Sequence, residues 1–187
     1  IDLSPLEFRM LMLSLLALTL AADPACTPQR PAASVATRAS KYDSTSTKVG
    51  TAVVKVCYGR PLVKGRTIFG SELVPYGKLW RTGANEPTII HTTGPITVAG
   101  VRLEAGSYSL YTVPMAGSSW DVVLNRSVSQ WGIESAYDGV KAQEVGRGKA
   151  PTMPMPLVEA LTISAAPTSL NLSWEKVMVM IPMAAAK

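Results

Sequence analysis

The chain has 187 residues, 47% of them hydrophobic and 17% charged, with a formal net charge of +5. That length suits one globular domain plus an extension and leaves two full domains crowded, while the apolar content excludes a chain disordered throughout. The positive charge is scattered, with no block of consecutive Lys or Arg, so no nucleic-acid partner is expected.

Arg9 precedes thirteen apolar or small residues, Met10 to Ala22, and Asp23, Pro24, Ala25 and Cys26 follow. A charge, a short apolar run and then small residues are the order of a secretory signal. Ser4 can cap a helix with Pro5 in its first turn and Glu7 at the capping-box spacing, and Pro24 stops it. The expectation over residues 1–23 is a retained apolar helix that anchors the chain in or on a bilayer. Leu6, Phe8, Met10, Leu11, Leu13, Leu15, Leu16, Leu18 and Leu20 would carry the anchor. Thirteen residues give a helix of about 20 Å against a hydrocarbon core of roughly 30 Å, so a shallow seat and a span both stay open. A lipoprotein signal would place an aliphatic residue where Asp23 stands.

Residues 24–47 are rich in Pro, Ala, Ser and Thr and read as an extended linker, able to hold a folded body tens of ångströms from the anchor. Residues 48–183 alternate with a period of two in short runs punctuated by Gly and Pro. Strands are expected at Val49 to Tyr58, Thr88 to Thr93, Ile96 to Leu103, Ser107 to Val113, Trp120 to Asn125, Leu157 to Ser164, Ser169 to Trp174 and Lys176 to Ile181. Leu170, Leu172 and Trp174 share one face and Val177, Val179 and Ile181 another, which predicts a hairpin or a sheet-crossing corner between them. Gly139 to Pro156, with its glycines and prolines, reads as a surface excursion. No helical crossovers are visible, so the fold class expected is mainly β, an antiparallel β-sandwich or jelly roll.

The two cysteines, Cys26 and Cys57, are too few for a disulfide scaffold and lack zinc-site spacing. Cys57 reads as a small buried thiol in a strand, with a disulfide to Cys26 the alternative in an oxidising compartment. His91 is the single histidine, set in the alternating run Ile89-Ile90-His91-Thr92. No Gly-x-Ser-x-Gly, metal-ligand pair or phosphate loop accompanies it, so no catalytic residue, cofactor or metal is expected. Glu72, Glu86, Glu104, Asp121 and Asp138 leave carboxylate-pair glycan chemistry as an alternative.

The connection from Tyr58 to Asn85 sets Arg60, Lys64, Arg66, Lys78 and Arg81 beside Phe69, Tyr76 and Trp80. Two readings stand: Trp80 and Phe69 plug the core end while Arg60 and Arg81 hold loop carbonyls and carboxylates, or the segment is a contact surface. Arg60, Lys64, Arg66, Trp80, Arg81, Met153 and Met155 are the candidate partner contacts. A ligand pocket built from Trp80, Arg81, Tyr108 and Trp131 is the alternative.

The runs YGRPLVKGRTIFG, LVPYGKLWRTGANEPTII, VAGVRLEAGSYSLYTVP, WDVVLNRSVSQWG and LNLSWEKVMVMIP occur in this order, and over roughly Pro31 to Pro182 the chain resembles the bacterial domain of unknown function numbered twenty-nine eleven. The resemblance implies a secreted or periplasmic β-rich domain and no particular activity. With a retained anchor, it also looks like an accessory subunit of a membrane supercomplex such as a photosynthetic reaction-centre and light-harvesting complex. The function expected is therefore a non-enzymatic, membrane-anchored periplasmic subunit that bridges or stabilises membrane-protein subunits. A periplasmic carbohydrate- or small-ligand-binding domain, or a glycan-active enzyme, is the alternative.

Overall fold

A computed structural model describes residues 24–132 and 134–186. The expected anchor helix, with Leu6, Phe8, Met10, Leu11, Leu13, Leu15, Leu16, Leu18 and Leu20, lies outside the described residues. Among the described residues, no helix is long and apolar enough to cross a membrane.

The mainly antiparallel β fold is present. One short helix, α1 (Ala32–Ala36), precedes β1 (Lys41–Val49), β2 (Ala52–Arg60), β3 (Thr88–Thr92), β4 (Ile96–Val98), β5 (Val101–Leu103), β6 (Gly106–Val113), β7 (Ser119–Asn125), β8 (Glu144–Ala166) and β9 (Ser169–Ala185). The strands form one nine-stranded sheet in the order β1-β2-β3-β6-β7-β8-β9-β4-β5. The first part of β8 pairs with β7 as far as Pro151, and from Thr152 onward it pairs with β9, which ends on β4. Residues after β2 return to β8: Val63 N donates to Glu159 O (2.8 Å) and Leu161 N to Pro61 O (2.9 Å). The sheet thereby wraps around a main core, and Tyr111, Val123 and Tyr137 form a second, small cluster apart from it.

Inward alternation builds that core from Val54, Val56 and Tyr58 of β2, Leu110 of β6, Trp120, Val122 and Leu124 of β7, and Leu170, Leu172 and Trp174 of β9. Phe69 packs edge-on against Trp120 at 4.8 Å, and Trp80 stacks on Trp174 at 5.7 Å. Both Phe69 and Trp80 come from the irregular loop, which closes the core with its aromatics. The expected corner in β9 lies at Glu175, whose φ of 53° is left-handed. One residue in that conformation shifts the alternation, so even-numbered Trp174 and odd-numbered Val179 both face inward.

Three expectations are corrected. Gly139 to Pro156 is largely strand, because β8 begins at Glu144 and pairs with β7 from there. Gly148 interrupts the apolar pattern for a packing reason: a Cβ there would run into the carbonyl oxygen of Ala99, so the β4–β5 turn can lie against β8 only if the position is bare. The 24–47 segment does not hang free as a linker, because Lys41–Val49 is a full partner of β2. Ahead of it, Cys26 is bonded to Cys57 with Cα atoms 5.7 Å apart, so neither cysteine is a free thiol and the Cys26 sulfur is closed to lipidation.

Candidate functional site

The residues leading into β1 form a strap laid on the sheet. Gln29 Nε2 donates to Gln130 O (2.8 Å), its backbone N–H donates to Glu86 (3.1 Å), and Arg30 lies over the Trp131 ring at 4.9 Å. Arg38 forks onto Glu86 through two bonds of 2.7 and 2.8 Å, with only 11% of the arginine and 2% of the carboxylate side chain exposed. Tyr42 feels this pair: burial first, then the Glu86 charge, pushes its hydroxyl up to about 12.

The loop from Pro61 to Asn85 is equally fixed. Trp80 exchanges two backbone bonds with Thr112 of β6 (2.8 and 2.9 Å), and Gly77 N donates to Pro114 O (2.8 Å). Its candidate contact residues divide. Arg60 is structural, donating from Nε to Leu161 O (3.0 Å), from Nη1 to Asp43 (3.0 Å) and from Nη2 to Thr162 Oγ1 (3.1 Å). Trp80 is buried in the aromatic core. Arg81 pairs with Glu134 at 2.8 Å on a partly exposed surface, so Arg81→Ala is expected to cost about 1 kcal/mol or less in denaturant unfolding. Arg66 holds the carbonyls of Val63 and Leu62 (2.9 and 2.6 Å) and, like Lys64, remains exposed. Met153 is exposed and Met155 half-buried.

Sequence reasoning named Met153 as a candidate contact but overlooked the belt of large apolar side chains open to solvent to which it belongs: Leu73, Tyr76, Met115, Met153 and Leu157, each 39–57% exposed. Tyr76, Met115 and Met153 line one depression of about 300 Å³, and Lys176 on its wall also lines the next, of about 260 Å³, beside Leu157 and Arg66. Leu73 lines a third of about 320 Å³ with Lys78. Met153 to Leu157 reaches the surface because the β8–β9 pairing slips between Pro154 and Val158, where four steps along β8 oppose two along β9. The signal for the belt was the run Met-Pro-Met-Pro-Leu, which has no polar alternation.

A second feature is polar. The outer face of β6, β7 and β8, capped by residues 134–141, encloses a groove of about 490 Å³ lined by Leu79, Asp121, Glu134, Tyr137, Asp138 and Arg147 among others. Asp121 is held by Lys149 (2.7 Å) and Glu134 by Arg81. Tyr137 donates to Glu144 (2.6 Å), which Arg147 also grips through two bonds. The Arg147 bonds hold the Glu144 carboxyl below its ordinary range, while burial, then the bond to Glu144, pushes the Tyr137 hydroxyl up to about 12. A raised tyrosine favours the folded state below its unfolded value of 10.0, and that contribution fades as pH rises toward about 12. An alkaline titration is therefore expected to show Tyr42 and Tyr137 ionising late, together with loss of fold between those two values.

The ligand pocket expected from Trp80, Arg81, Tyr108 and Trp131 does not assemble, because Trp80 and Tyr108 face the core and Trp131 lies under Arg30. Of the five scattered carboxylates, Asp121 and Asp138 share the polar groove, whereas Glu86 is committed to Arg38. His91 stands in β3 opposite Ser107, its Nδ1 2.7 Å from the hydroxyl. Burial, then the Lys55 charge, pushes its imidazole below the ordinary value. Among the described residues, no group of three or more His, Cys, Asp or Glu is placed to hold a metal ion.

The family described as protein of unknown function (DUF2911) matches residues 40–183. The chain belongs to the DUF2911 family. That match spans β1 to most of β9 and includes both the belt and the polar groove, while the strap with Cys26 and Arg38 precedes it. No curated protein and no solved structure matches this DUF2911 chain.

Proposed function

We propose that this DUF2911 protein is a non-catalytic extracytoplasmic subunit, held against a membrane, that steadies a larger membrane-protein complex. The fastening of the strap carries the reading. Cys26 stands only four residues beyond Ala22, about 13 Å of extended chain. Because Cys26 is bonded to the middle of β2, an apolar segment seated in lipid would hold the body close, not tens of ångströms away. A disulfide of this kind also belongs to an oxidising compartment, in keeping with the secretory order of the first residues. Two linked attachments, the apolar segment and a surface of the body, raise the effective concentration of the second contact to about millimolar, so each can be modest. Neither the fold nor the family match points to a photosynthetic complex in particular.

Purification of the full chain in mild detergent tests this reading. A stoichiometric membrane-protein partner that is lost when residues 1–22 are removed is the expected result. A monodisperse monomer with no partner in membranes from its source would end it.

The polar groove favours a second reading, a small polar ligand or glycan held by Asp121, Glu134 and Asp138. Saturable glycan binding that Asp138→Asn abolishes, in a protein purified without partners, would put this reading first.

A further inference from the structure

We propose that the folded body itself lies on anionic lipid through the belt of Leu73, Tyr76, Met115, Met153 and Leu157. This rests on the membrane-proximal reading above and names what the body touches. Tyr76, Met115, Met153 and Leu157 line two depressions that share Lys176, and Leu73 stands three residues before Tyr76, so the row is more than scattered exposure, and such patches mark contact surfaces.

Charge selects lipid as the occupant. Lys64, Arg66, Lys78 and Lys176 are all exposed, and Arg66, Lys78 and Lys176 line the same depressions as the apolar side chains. Of the acidic residues nearby, Glu175 accepts from Phe69 N (3.2 Å), Glu159 accepts from Lys64 N (2.9 Å) and Glu134 is paired with Arg81, while Glu72 beside Leu73 is exposed and is outnumbered by the four cations. Lysine and arginine stems lie along apolar surface while their charges reach outward, the arrangement that suits headgroup phosphates above acyl chains. The scaffold is set in advance, since Gly70 N binds Val74 O (2.9 Å), Gly77 N binds Pro114 O, and β8 is paired on both sides of the bulge. Little ordering is then left for the docking step. The strap adjoins this region, since Arg30 covers Trp131 and Glu134, three residues further on, lines the depression that holds Leu73.

The test is hydrogen exchange on the full chain with vesicles of phosphatidylglycerol mixed into phosphatidylcholine, against vesicles of phosphatidylcholine alone. Slowed exchange over residues 72–78, 115–118 and 153–158 with the anionic vesicles is expected, weaker on the neutral ones and weaker in high salt. Lys78→Gln and Lys176→Gln are each expected to lower the affinity of the body for anionic vesicles about fivefold. Leu157→Ser is expected to lower it about tenfold at unchanged melting temperature, because the side chain is already exposed. If the chain sediments with vesicles but these segments stay unprotected, the belt inference falls and the anchored reading stands. If the chain does not sediment at all, both fall. Protection that needs no vesicles and grows with protein concentration would assign the belt to a second copy, and protection seen only with a membrane protein would assign it to that protein; either result overturns the lipid assignment.

Discussion

Arg38→Ala is expected to destabilise the domain by about 3–5 kcal/mol, because it leaves the Glu86 carboxylate buried without its counter-charge. Only 2% of that carboxylate side chain reaches solvent, and what remains to it among the described residues is a single backbone donor, Gln29 N. Glu86→Gln is expected to cost less, since Arg38 stands at the rim of the strap and its long side chain can turn toward water, whereas Glu86 precedes Pro87 at the entrance to β3 and cannot leave. Replacing both by apolar residues is expected to recover most of the loss, as such pairs are held by mutual need more than by net attraction. Urea titration of the three variants against the parent measures all of this. A loss below about 1 kcal/mol for Arg38→Ala would mean that the pair behaves as an ordinary surface ion pair.

Why this pair escaped the sequence shows where legibility ended. Its members are 48 residues apart, and neither a Ser- and Thr-rich approach nor a Gly-rich loop announces a buried charge. Period-two alternation located the inner strands, since their inward residues are uniformly apolar and their partners polar. It also located the β9 corner, where two apolar registers of opposite parity meet at Trp174 and Val177. It failed at β1, whose Ser-Thr-Ser-Thr run is that of an edge strand leaning on β2 for its burial, and composition made it resemble a linker. It failed again at the start of β8, where Gly146 and Gly148 are dictated by the neighbouring Val101 and Ala99 and not by strand preference. The contact residues divided for a related reason. Trp80 and Arg60 serve the core and the loop, one of the two readings that the segment offered, while Leu73 and Tyr76 of the same loop stand in solvent. Residue type alone does not tell which end of an irregular loop is plugged into the protein.

Cys26→Ala is expected to cost about 3–4 kcal/mol, the loop-closure term for a 31-residue separation, and reduction of the parent protein should cost a similar amount. Alanine at position 26 leaves Cys57 as a small buried thiol, which strands tolerate, so the loss reports the cross-link and not a hole. The consequence reaches past stability. With the bond cut, the strap is held only by the outlying contacts of Gln29 and Arg30 ahead of the Arg38–Glu86 pair, and once it peels back to that pair residues 23–38 become about 50 Å of tether. A body that had been pinned beside the membrane could then move away from it, and the effective concentration of its second contact would fall with the longer reach. Cys26→Ala should therefore weaken retention of the body at membranes, whereas Arg38→Ala, which keeps the disulfide, should leave it nearly unchanged wherever the domain is still folded. Because both links hold one strap, their costs should not add: once either is lost, the strap segment between them has less order left to lose, and the double variant should fall short of the sum. Equal membrane retention for Cys26→Ala and the parent would show that the distance set by the disulfide does not matter to function.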